Sequence, residues 1–137
     1  MAREFALSVV APDRSVVEET VTSVVAPGSE GYFGVLAGHA PLIAALMPGI
    51  VEYLDPRGIR HCVYVGGGFA EVTGDRMTVL ADEAARATEI ELTRAEVDLE
   101  NARKTLRGED GSHFDREEAV LEVDRAIARL KAARLPR

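Results

Sequence analysis

"VLADEAARATEIELTRAE", residues 79–96, changes its period half-way along. To its left, "MTVLA" (77–81) is short, β-branched and strand-like. To its right, Leu92, Ala95, Leu99, Ala102 and Leu106 recur at alternating steps of three and four, the stripe of an amphipathic helix. A chain that makes this change once, with strands before and helices after, is an all-β unit carrying a helical appendage.

Reading leftward, "FALSVV", "SVVEETVTSVVA", "IVEYL", "RHCVYV" and "FAEVT" are further strand candidates, punctuated by "PDR", "DPRG", "GGG" and "GDR". Short strands at this spacing predict an antiparallel β-sandwich over residues 1–84. Gly66, Gly67 and Gly68 lack the GK[ST] of a phosphate loop, so a bulge or a close backbone approach is expected there. Residues 26–49, "APGSEGYFGVLAGHAPLIAALMPG", are dense in glycine and proline and read as tight turns joining short strands.

Reading rightward, Ala119, Val123, Ala126, Leu130 and Ala133 repeat the helical stripe, and "GEDG" (108–111) separates the two helices. Thr88 with Glu91, and Asp115 with Glu118, fit capping boxes. The expectation for residues 85–137 is an antiparallel two-helix hairpin. A turn between Asp110 and Gly111 sets Ala95 against Ala126, Leu99 against Val123 and Ala102 against Ala119. Half of that seam is alanine, which buries little apolar area, so the hairpin reads either as a solvated appendage or as an arm that opens cheaply.

Composition narrows the function classes. The 137 residues are 47% hydrophobic, enough for a core, and no apolar run reaches the length of a membrane span or a signal peptide. A net charge of -7 argues against nucleic acid, although residues 125–137 hold five bases and no acid. The lone Cys62, in "CVYV", allows no intramolecular disulfide and no CxxC metal pair, and no metal site is expected. His39 has no nucleophile or second carboxylate at a catalytic spacing, so it reads as a turn residue and no catalytic residue is assigned.

The combination of "GSEG", "GHAPL", "PGIV", "GGG" before a strand and "VLAD" before the helices resembles the epsilon subunits of bacterial F-type ATP synthases, over nearly the whole chain. The resemblance implies a non-catalytic rotor-stalk subunit, peripheral on the cytoplasmic face of the bacterial cell membrane. Its sandwich would grip the gamma subunit and the c-ring, and its hairpin would reach the catalytic alpha/beta head and inhibit ATP hydrolysis. It places Glu30, Gly31, Tyr32, Phe33 and Gly34 at the docking contacts, with Gly38, His39 and Pro41 shaping the adjoining loop. Tyr32 stands where an acidic residue is common in the family, and Met47 where lysine is common.

Some family members bind regulatory ATP on the folded hairpin; no cofactor is otherwise implied. The matching positions are Ile90, Glu91, Arg94, Ala95, Arg125 and Arg129. In an antiparallel pair Glu91, Arg94, Arg125 and Arg129 fall on one side, giving three guanidiniums against one carboxylate, a surplus suited to phosphates. The other reading is a Glu91–Arg129 ion pair beside two solvated arginines. A rival for the whole chain is a β-sandwich adaptor with a helical protein-binding arm in another assembly; a stand-alone enzyme would need converging acid, base or nucleophile groups.

Overall fold

The computed structural model describes residues 3–111, 113 and 115–136. Eight strands come first: β1 (Phe5–Ala11), β2 (Arg14–Val21), β3 (Ser23–Gly28), β4 (Gly31–Leu36), β5 (Leu42–Leu54), β6 (Arg60–Thr73), β7 (Arg76–Ala81) and β8 (Ala84–Arg86). A 3₁₀ turn (Ala87–Glu89) leads to α1 (Leu92–Leu106) and α2 (Arg116–Ala133). A β-sandwich followed by a helical hairpin is thus the observed architecture. Strand β8 pairs with β6, so the sheet runs past residue 84.

The strand order is β2-β1-β7-β6-β5-β3-β4. One pair departs from the antiparallel expectation, since β1 and β7 run parallel, with Leu7 opposite Met77 and Val9 opposite Val79. Spacing along a sequence reports hairpins between neighbours; this pair joins strands that five others separate. Val9, Val17, Val21, Val51, Tyr53, Val63, Val65 and Val79 fill the interior between the layers.

Residues 42–49, expected within a run of tight turns joining short strands, are instead the first eight residues of the thirteen-residue β5. Pro48 is tolerated because β3 pairs with β5 at Val25–Glu52 and again at Gly28–Leu46, with the register broken between. The missing N–H falls in that gap, while Pro48 stays opposite Gly66 on the other side. "RHCVYV" and "FAEVT" are likewise one strand, β6, running through the glycine triplet. Val63 and Val65 point inward before the triplet and Ala70 and Val72 after it, a change of parity that requires an irregular step. Gly67 and Gly68 supply it at φ +100° and +129°, and a Cβ on Gly68 would lie 2.1 Å from the Leu80 carbonyl oxygen.

At the hairpin the second cap is as expected: the Glu118 N–H donates to Asp115 Oδ1 at 3.1 Å. The first is not. Helix α1 starts at Leu92 with Glu91 in the N-cap position and no side-chain cap bond. Thr88 lies in the 3₁₀ turn, where the Arg86 N–H donates to Glu89 Oε1 at 3.2 Å. The seam holds Ala95, Leu99, Ala126, Leu130 and Ala133, with Ala102 and Val123 packed against them. Ile90 closes one end of it, whereas Leu92 is 41% exposed.

Candidate functional site

Strand β4 is an edge strand, and it carries the residues expected to dock. Glu30 and Gly31 sit at its entry, Gly31 with φ +122°, and Gly38, His39 and Pro41 follow its exit. Glu30 and the loop at Gly38 thus flank opposite ends of the six-residue β4, with Tyr32, Phe33 and Gly34 along the strand between them. Gly38 takes φ +79°, and His39 Nδ1 lies 2.7 Å from the Ala40 carbonyl oxygen, as suits a turn residue. Gly34 has no positive φ, and a Cβ there would meet only the Val24 carbonyl oxygen at 3.9 Å.

Tyr32 has a structural role that sequence alone does not reveal. Its hydroxyl accepts the Ile50 N–H at 3.3 Å, tying β4 to β5 at the broken part of the ladder. Gly49 lies beneath it, where a Cβ would be 2.6 Å from Pro27 Cβ and 2.8 Å from the Tyr32 hydroxyl. Phe33, half-buried, packs against the core.

An apolar row missed at the sequence level crosses the outer face of β7, β6 and β5. Leu80 pairs with Phe69, Phe69 pairs with Ala45, and Ile43 lies two residues along β5 from Ala45. Leu80, Phe69 and Ile43 are 59%, 58% and 73% exposed. The available signal was their alternation with the buried Val79, Ala70 and Val72.

The hairpin residues divide into separate places. Ile90 and Ala95 pack in the helical seam. Glu91 and Arg94 line a shallow cleft with Thr93, Val97, Asp98 and Asn101, and Arg94 Nε donates to Asp98 Oδ1 at 3.0 Å. Arg125 and Arg129 turn the other way, onto the sandwich. Arg125 Nε donates to the Gly66 carbonyl at 2.9 Å, its Nη1 to Glu122 at 2.9 Å, and its Nη2 lies 3.7 Å from Asp82 Oδ2. Arg129 Nη1 donates to Glu83 and, at 3.3 Å, to the Tyr64 hydroxyl. The Tyr64 hydroxyl in turn donates to Glu83, and burial followed by that bond pushes its pKa far above the usual tyrosine range.

The surplus positive charge expected from the hairpin register is therefore absent at this pair. Two guanidiniums face three carboxylates, Asp82, Glu83 and Glu122. Asp82 and Glu83 arrive from the end of β7, which a register drawn between the helices alone omits. The Glu91–Arg129 pairing is replaced by Glu83–Arg129. Around this cluster Ala128 and Ala132 of α2 pack on Tyr64 and Ala87, with Ile50, Cys62 and Leu135 at the margin, so the helix is docked on the sheet.

Two family models divide the chain between them: the beta-sandwich domain of the ATP synthase delta/epsilon chain matches residues 4–87, and its long alpha-helix domain matches residues 88–134. The chain belongs to the ATP synthase delta/epsilon family. Among its relatives, the ATP synthase epsilon chain of Syntrophobacter fumaroxidans is 42% identical over 134 residues, 97% of this chain and 98% of that protein. That of Desulfatibacillum aliphaticivorans is 43% identical over 112 residues, 82% of this chain and 79% of its own length. A chain in the Euglena gracilis mitochondrial ATP synthase OSCP/F1/c-ring structure superposes with a TM-score of 0.79 at 26% identity, covering 95% of this chain and 81% of that one. Family membership makes this chain an epsilon-type subunit of an F-type ATP synthase. Among the described residues no helix is long and apolar enough to cross a membrane.

Proposed function

We propose that this subunit is non-catalytic, works on the cytoplasmic face of a bacterial membrane, and couples the c-ring to the gamma shaft through its sandwich. Its hairpin, when released, reaches the catalytic alpha/beta head and restrains ATP hydrolysis. The observation that carries the docking role is the exposed row Leu80–Phe69–Ile43 across β7, β6 and β5, whose Ile43 end shares a cleft with Tyr32 and Phe33 of β4. Three large apolar side chains on adjacent strands of a rigid sheet favour a permanent partner over water. A sheet loses little side-chain entropy on docking, so torque passes through it with small losses to local rearrangement. Regulatory ATP enters this scheme only by displacing the carboxylates that hold Arg125 and Arg129.

Phe69→Glu tests the docking role. The side chain is exposed, so the melting temperature should hold, while co-purification with the gamma subunit and c-ring should be lost. An unaltered yield of complex from that variant would refute the assignment of this face.

A further inference from the structure

Gly66 occupies an unusual position between sheet and arm. Its N–H donates to the Glu83 carbonyl at 2.8 Å, and its own carbonyl accepts from Arg125 on α2. A Cβ at this position would lie 2.4 Å from Glu83 Cγ, 2.7 Å from the Tyr64 hydroxyl and 3.2 Å from Arg125 Nε. The backbone does not demand glycine here, because φ is not positive, in contrast to Gly67 and Gly68. What demands it is the space in which Glu83, Tyr64 and the two arginines meet.

We infer that Gly66 is the keyhole of a latch, made by Arg125 and Arg129 on Gly66, Tyr64, Asp82 and Glu83, that holds the hairpin down without a nucleotide. Each arginine already has a charged partner from the sandwich, so no added anion is needed for neutrality. The Tyr64 hydroxyl and Glu83 are oriented by each other and by Arg129, so closure completes a network in which every member has a partner. Finally, the same helix face buries Ala128 and Ala132 on Tyr64, so the ionic and apolar contacts open and close together. The latch is the regulation proposed above for the hairpin, and rests on that reading only for its consequence in the assembled complex.

The chain carries its own reporter. Cys62 is the sole cysteine, half-buried on β6 beside Ala132 and Leu135 of the docked C-terminal segment. Its reaction with a soluble disulfide reagent, on the full chain alone, measures how often α2 lifts. Gly66→Ala should speed that reaction by about tenfold or more, since Glu83 must leave its charge-assisted bond to Arg129 to admit the methyl group. Glu83→Gln, which keeps the shape and removes the charge, should do the same without any change at the glycine. Millimolar ATP should leave the rate in the parent chain unaltered. Unchanged rates in both variants would overturn the latch, and a strong slowing by ATP would overturn its independence from nucleotide. Copies of both variants should still assemble with the gamma subunit and c-ring; failure there, with altered thiol kinetics, would count against the docking reading and not against the latch.

Discussion

Replacing Leu99 with alanine separates the stability of the arm from that of the sandwich. Leu99 is 7% exposed in a seam whose other buried members are Ala95, Ala126, Leu130 and Ala133, so it supplies one of only two leucines there. Buried Leu→Ala changes cost about 2–5 kcal/mol, and the low end applies where the surroundings can close over the gap. Alanine neighbours interlock weakly, so the helices can move together and a cost of about 2–3 kcal/mol is expected, a factor of about 30–150 in an opening equilibrium. Helix α1 packs chiefly on α2, whereas α2 also packs on β5, β6 and the 3₁₀ turn. Hydrogen exchange should therefore show protection falling by that factor in α1, by less in α2, and not at all around Val63, Val65 and Val79. An equal fall in those core strands would mean that sandwich and hairpin unfold as one unit, and an unchanged α1 would mean that Leu99 does not hold the seam.

Two glycines should respond in opposite ways. Gly34→Val should leave the melting temperature nearly unchanged, because its φ is ordinary and its Cβ direction open, whereas Gly68→Ala should prevent stable folding by colliding with the Leu80 carbonyl at φ +129°. The acid limb of the stability curve should depend on Asp55. The His61 hydrogen bond, followed by those from the Ile59 and Arg57 N–H groups, lowers its pKa from 3.8 to about 2. A depressed carboxylate stabilises the fold above its unfolded pKa and loses that contribution as the pH falls through the folded one, so Asp55→Ala should flatten the thermal-melt curve between those two values. At the alkaline limb the sign reverses. Burial first, then the bond to Glu19, raises Tyr53 from 10.0 to about 12, so its contribution is complete below pH 10 and lost as the pH climbs through 12. Tyr53→Phe should remove that dependence.

The division into strands and helices was legible because it lies in local periods. Asp115 and the "GEDG" break were legible for the same reason: caps and turns use residues within a few positions of each other. What escaped was everything set by a partner far along the chain. The parallel β1–β7 pair, the strand through Pro48 and the carboxylates facing Arg125 and Arg129 each require two distant segments to be placed before either can be read. Helix α2 shows the limit most directly. Ala119, Val123, Ala126, Leu130 and Ala133 announce one buried face, but Ala128 and Ala132 bury a second, and alanine's small apolar side chain is equally at home on a solvated helix. Only Leu135, continuing that second row, hinted at a surface beneath it.

The glycine triplet relates the two surfaces to each other. Before it, the outward side chains of β6 are Cys62 and Tyr64, and they lie under α2. After it, the outward side chains are Phe69 and Glu71, and they are exposed. Gly67 and Gly68 make this possible by shifting the parity of the strand through a backbone conformation that side chains disfavour, while Gly66 leaves room for the contacts of the arm. One continuous strand thus carries the arm on its first half and the apolar row on its second, and both halves share the core behind them. An arm that lifted from Tyr64 would therefore leave Phe69 undisturbed, provided that the strand itself stays paired along β5, where one constant register runs from Leu42–Val72 to Leu54–Arg60 and skips the Met47–Gly67 step alone. The proposed role, a sandwich held by its partners while the arm moves, needs that separation.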